Sequence, residues 1–80
     1  MISLLIADSH PIVRLGIKQV LASVSNIEVI ADVASTSELF STLEKISPDV
    51  VMLEMDIPEI NGIATLRKIK QNFPNTKVLM

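Results

Sequence analysis

The sequence predicts a doubly wound parallel α/β sheet of four strands, ordered β-α-β-α-β-α-β along the chain. Three observations carry that reading. Short runs rich in Ile, Val and Leu recur at 2–7, 27–33, 49–53 and 77–80, the pattern of strands. Between them lie segments whose apolar residues fall at helical spacing, and the connections are short. Alternation of this kind buries a parallel sheet between helices on both faces.

Taken in order, Ile2 to Ala7 forms the first strand, closed by Asp8-Ser9-His10-Pro11. Pro11 suits a first helical turn, and Ser9 or Asp8 can cap its exposed amides. Val13, Ile17, Val20, Leu21 and Val24 then follow at helical spacing, with Arg14 and Lys18 on another face, so a helix is expected over 11–24. Ser25-Asn26 breaks it, and Ile27 to Val33 reads as the second strand. Ser35 and Glu38 have the spacing of a capping box. Leu39, Phe40, Leu43 and Ile46 give the second helix its apolar stripe, and Ser47-Pro48 ends it. Asp49 to Leu53 is a third strand, expected to be buried on both faces. Asn61-Gly62 turns the chain into a third helix with Ile63, Leu66, Ile69 and Phe73 on one side and Arg67, Lys68 and Lys70 off that stripe. Pro74-Asn75 stops it, and Lys77 to Met80 begins a fourth strand.

Composition narrows the function classes. Eighty residues make one small domain, and 49% apolar with 20% charged residues is a globular balance. A net charge of −2 and a pI near 5.2 give no nucleic-acid surface. The absence of cysteine removes disulfides and thiolate metal sites and fits a cytoplasmic location. No apolar run approaches the ~20 residues that span a bilayer, so no membrane contact is expected. Met1 leads directly into a strand without a basic leader region.

The chemistry-bearing residues lie where strands end. The run Val50-Val51-Met52-Leu53 stops at Glu54, followed by Asp56, Pro58 and Asn61-Gly62. A charge at the carboxyl end of a buried strand is costly and marks a ligand crevice of a parallel sheet. Asp8 follows the first strand, and in a strand order 2-1-3-4 the first and third strands are neighbours. Asp8 and Glu54 can therefore converge, and converging carboxylates with backbone carbonyls make a hard oxygen site of the kind Mg²⁺ prefers. Blander readings compete. Asp8 and Ser9 also read as helix caps, and Glu54 as a solvated loop acid. His10 is read as a loop or capping histidine rather than a lone general base, because no nucleophile adjoins it. The phenylalanines and methionines are core or cover.

The segment from Leu5 to Arg14 and the segment 48–62 resemble the receiver domain of two-component response regulators, in the subfamily with a C-terminal helix-turn-helix output domain. The likeness covers essentially the whole chain, residues 1–80, read as a partial receiver-like domain without an output domain. It implies a flavodoxin-like fold, ending before the fifth strand. It also implies a signalling module, not an enzyme, regulating transcription through a histidine kinase partner. The family places an acid pair after the first strand to help hold Mg²⁺, and an Asp at the end of the third to accept phosphate. The residue two further on lends a metal-ligating carbonyl, and a Pro and a Gly four and eight residues beyond the acceptor shape the loop. Pro58 and Gly62 stand at those offsets from Glu54. The resemblance therefore puts Glu54 at the phosphoacceptor position and Asp56 at the carbonyl position, with Asp8, Glu54 and Asp56 as metal residues and Asp8, Ser9 and Asp56 as the pocket.

Two departures bear on the chemistry. The acid pair reads Asp8-Ser9, one charge short, and Glu54 replaces Asp with one more methylene. The expected outcome is a weakened Mg²⁺ site and a Glu54 that is not phosphorylated in the usual way but partly imitates a phosphorylated Asp. An alternative is a non-signalling interaction fragment: the Val78-Leu79-Met80 edge offers a template for strand pairing, giving a homodimer or docking on a full-length regulator. A small nucleotide-binding enzyme ranks last, since no Gly-rich loop follows the first strand.

Overall fold

In a computed structural model, which describes residues 1–54 and 62–80, the elements follow the expected order: β1 (Ile2–Ala7), α1 (Pro11–Leu21), β2 (Ile27–Val33), α2 (Thr36–Leu43), β3 (Val50–Leu53), α3 (Gly62–Asn72) and β4 (Lys77–Leu79). The strands form one sheet ordered β2-β1-β3-β4, and every pairing is parallel. This is the flavodoxin-like arrangement expected of the sequence.

The two sheet faces are covered unequally. Leu5, Ala7, Val51 and Leu53 share one face with Val33, and against them pack Leu39 and Leu43 of α2 and Ile69 of α3, forming the core. The opposite face carries Leu4, Ile6, Val50 and Met52 and has α1 alone over it among the described residues. Leu4 and Ile6 are buried there, but Val50 and Met52 are half-buried. The expectation that β3 is buried on both faces is thus met on one. An apolar groove of about 460 Å³ runs beside α1, lined by Val13, Ile17, Val20, Leu21 and Met52. No residue of α1 is fully buried: its stripe is present, but one helix cannot shield its own apolar side. Ile63 likewise stands more than half exposed, while Thr65 and Ile69 turn inward.

Helix ends are shorter than the periodicity suggested. α1 stops at Leu21, where Val24 N–H turns back to the Leu21 carbonyl at 3.0 Å. α2 stops at Leu43 rather than at Ser47, its stripe continuing as a turn through Ile46. The capping box is present in a displaced form. Ser35 Oγ accepts from the Glu38 amide at 3.3 Å, while the Glu38 carboxylate takes the amide of Ala34 at 3.1 Å, one residue before its usual target. Lys68 is exposed, as its place off the apolar stripe suggested, and its Nζ lies 4.4 Å from the centre of the Phe40 ring. Among the described residues no helix is long and apolar enough to cross a membrane.

Candidate functional site

Strand geometry fixes the first two site residues. Side chains alternate along a strand, so Leu4, Ile6 and Asp8 share a face, as do Val50, Met52 and Glu54. β1 and β3 pair with Ala7 opposite Leu53, which puts Asp8 beside Glu54 one step further, at the carboxyl edge and on the α1 side. The ladder holds both in place: Asp8 N–H donates to the Val33 carbonyl and Glu54 N–H to the Ala7 carbonyl, each at 3.0 Å.

The chain then turns sharply into α1. Asp8 Oδ1 accepts from the His10 amide at 2.8 Å and lies 2.9 Å from His10 Nδ1. His10 Nδ1 also stands 3.4 Å from Glu54 Oε1. The other oxygen, Glu54 Oε2, is reached by the Ser9 amide at 3.3 Å and the Ser9 hydroxyl at 3.4 Å. One donor atom each from Asp8, His10 and Glu54 falls within 4.8 Å of the others. Asp8 is buried at the floor of this crevice, Glu54 is partly covered, and the His10 ring, 59% exposed, closes the mouth.

The electrostatics follow from these contacts. Burial alone would raise the Asp8 pKa, but hydrogen bonds from the His10 amide and ring outweigh it and hold it below the usual carboxylate value. The Asp8 hydrogen bond, then the Glu54 charge, raise the His10 pKa above its ordinary value. The start of α1 adds the positive end of a helix dipole on the same side.

Asp8, Ser9 and Glu54 are therefore brought together as the sequence suggested. Asp56 and Pro58 lie outside the described residues. Gly62 is the buried first residue of α3. His10 stands at the N-cap position, in keeping with its reading as a loop or capping histidine, but no side chain caps the helix there; its ring meets the two acids instead, which the sequence reading missed. The signal was the Asp8–His10 spacing across a tight turn, which folds a side chain back onto its neighbour two residues earlier. A second omission is Asp32. Its β2 register sets it opposite Ile6, and Arg14 Nε at 2.8 Å and Lys18 Nζ at 3.1 Å both bind its carboxylate. Arg14 Nη1 also donates to the Asp8 carbonyl at 2.6 Å, linking this pair to the crevice. A second cleft, about 410 Å³, opens at the other end of the sheet beside Asp49. That acid is already tied to the Ser3 amide and hydroxyl.

Comparison with known proteins identifies the family. Residues 4–80 match the response regulator receiver domain, and the chain belongs to that family. It is 34% identical over 77 residues to an uncharacterized transcriptional regulatory protein, YhcZ, of Bacillus subtilis, covering 96% of this chain and 36% of the relative. It is 34% identical over 79 residues to the transcriptional regulatory protein DegU of Brevibacillus brevis, covering 99% and 34%. The chain thus spans about a third of the length of these relatives. Among solved structures, the isolated receiver domain of RcsB from Salmonella enterica serovar Typhimurium with phosphomimetic BeF3− superposes with a TM-score of 0.91 at 28% identity, covering 96% of this chain and 58% of that one. The non-phosphorylated receiver domain of RcsB from Escherichia coli gives 0.91 at 28%, covering 96% and 61%.

Proposed function

We propose that this chain is the receiver part of a two-component transcriptional regulator whose phosphorylation site has changed character, with Glu54 at the phosphoacceptor position. The observation that carries the reading is the Glu54 carboxylate turned into the crevice against Ser9 and His10. Phosphoryl transfer depends on positioning and charge neutralisation. Here the acceptor carboxylate is one methylene longer than Asp, and Ser9 offers a hydroxyl where a second acid would help draw a cation. The Mg²⁺ implied by the family wants near-octahedral oxygen ligands. Asp8 and Glu54 supply two carboxylates, but an imidazole nitrogen fills the mouth, so this donor set fits Mg²⁺ poorly. Glu54 acts as a fixed, partial stand-in for a phosphorylated Asp, carrying one charge in place of phosphate's ≈ −1.5 to −2. The module works in the cytoplasm beside a histidine kinase.

The test is intact-mass measurement after incubation with acetyl phosphate and with histidine kinases. The expected result is no stoichiometric phosphoryl adduct on the natural chain, and an adduct on a double variant, Ser9→Asp with Glu54→Asp. An adduct on the natural chain that disappears in Glu54→Gln contradicts the reading.

The sheet edge supports a second reading. Among the described residues β4 pairs with β3 alone, and Leu79 and Met80 are about half exposed beside it, so the edge offers itself for pairing with a second copy. Sedimentation equilibrium distinguishes this: a strictly monomeric, folded chain at high concentration rules it out.

A further inference from the structure

We propose that the open strip of the sheet beside α1 is an interface for a second copy of this chain, with a two-fold axis at Gly16, so that the α1 helix of each copy also fills the strip of the other. The inference goes beyond the signalling reading and does not depend on the chemistry of Glu54.

Width is the first argument. Strands lie about 4.8 Å apart, so a four-stranded sheet is about 15–20 Å across and takes two helices at a spacing of about 8–10 Å. Among the described residues α1 stands alone on this face, toward the β2 side, where Arg14 and Lys18 reach Asp32. The strip toward β3 and β4 is open. Two apolar grooves lie along it, of about 460 and 240 Å³, and they share Leu21 and Met52.

The helix itself is the second. Of its eleven residues only Arg14, Lys18 and Gln19 are polar. At about 100° per residue, Val13, Ile17 and Leu21 turn toward the chain's own sheet, and Gly16 and Val20 toward the open strip. Ile12 and Leu15 fall on the outer side, 74% and 51% exposed. A helix apolar around most of its circumference belongs in an interior. A partner's sheet laid over Ile12 and Leu15 supplies one: two sheets then enclose a single layer of two antiparallel α1 helices.

Gly16 is the third. It is the middle residue of α1, with Ile12 and Val20 one turn to either side. A Cβ there would meet nothing within 4 Å, so the fold of one chain does not call for glycine, which weakens a helix. Close approach of a second helix at the axis does call for it.

Chemistry selects a like partner. No ionisable side chain lines either groove, so two identical faces meet without opposing like charges. Arg14 and Lys18 stay at the rim with Asp32. Ile2, Ile12, Val20 and Leu79 stand 43–74% exposed. With their neighbours they present on the order of 500 Å² of apolar surface per copy, and two such faces reach the ~1,000 Å² that a specific interface clears. The competing occupant is an apolar helix of another protein, which leaves this chain monomeric.

Sedimentation equilibrium of the full chain measures association, and single-cysteine variants locate the contact, since the natural chain has no cysteine. The expected result is a monomer–dimer equilibrium. Ile12→Lys and Gly16→Leu, both at exposed positions, should each weaken it by about tenfold or more, with circular dichroism confirming that both variants fold. Gly16→Cys should form an intermolecular disulfide on air oxidation, whereas Lys70→Cys, exposed on α3 across the sheet, should not. A chain that stays monomeric at high concentration overturns the proposal. So does a dimer indifferent to both α1 substitutions, which would leave pairing through β4 as its basis. A phosphoryl adduct on Glu54 would instead overturn the signalling reading and leave this one standing.

Discussion

Two acidic groups share the carboxyl edge of the sheet one strand apart, and the chain treats them in opposite ways. Asp32 on β2 is gripped by Arg14 and Lys18. Asp8 and Glu54, on and beside β1 and β3, meet one ionisable basic group among the described residues, the His10 ring. All three acids project on the α1 side, and α1 delivers the basic residues. Pro11 starts the helix, and one turn on Arg14 meets β2, with Lys18 a turn further. The residue left over the β1–β3 crevice is the helix's N-cap, His10. The difference teaches where function sits. An acid neutralised by fixed cations is structural, while an acid pair left short of positive charge is ready for a ligand, a proton or a metal.

The comparison makes mutations of the two groups opposite in sign. Asp32→Asn leaves Arg14, whose side chain is only 16% exposed, without its carboxylate, and should lower stability by about 1–2 kcal/mol in urea unfolding. Glu54→Gln, in metal-free protein near neutral pH, removes repulsion with Asp8 and should raise stability by about 0.5–1 kcal/mol. A loss of stability in Glu54→Gln would erase the distinction between the two groups.

Acidity sharpens the same contrast. Burial pushes the Asp32 carboxyl up, but the hydrogen bonds and charges of Lys18 and Arg14 more than offset it and leave its pKa below 3.8. A carboxylate lowered on folding contributes stability that is present above its unfolded value and is lost as pH falls through the folded one. The stability gap between natural chain and Asp32→Asn should therefore be full above 3.8 and close in more acid solution, as read by unfolding at a series of pH values. His10 behaves in the reverse sense. Its pKa is raised above 6.5, so its contribution is present below that value and fades as pH rises through the folded one. The gain in Glu54→Gln should widen over that rise, as the compensating imidazolium is lost. The smallest effect belongs to Lys18→Ala, at a half-exposed position of the Asp32 cluster, expected to cost about 0.5 kcal/mol or less and to shrink in high salt.

Much of this arrangement was legible in the residues. The order of strands and helices follows from apolar periodicity, and the meeting of Asp8 with Glu54 follows from two strands ending one residue before an acid. What escaped notice depends on tertiary neighbours. Arg14 and Lys18 were placed together on another face of the helix, and like charges at that i,i+4 spacing repel, which calls for an acid between them; β2 supplies it as Asp32. The α1 stripe was correctly placed, but its burial depends on how many helices share that sheet face, and a helix's own pattern carries no such information. His10 was read as a loop or capping histidine because no nucleophile adjoins it; its meaning comes from a turn that folds its ring onto Asp8 and from the Glu54 strand 44 positions away.

The central claim is that Asp8, His10 and Glu54 converge in one crevice. NMR titration of the His10 ring in metal-free protein, natural chain against Glu54→Gln, tests it most directly. The account predicts a midpoint above 6.5 in the natural chain and a lower one in the variant, still held up by Asp8. An identical midpoint in the two proteins would place Glu54 away from the ring and contradict the site.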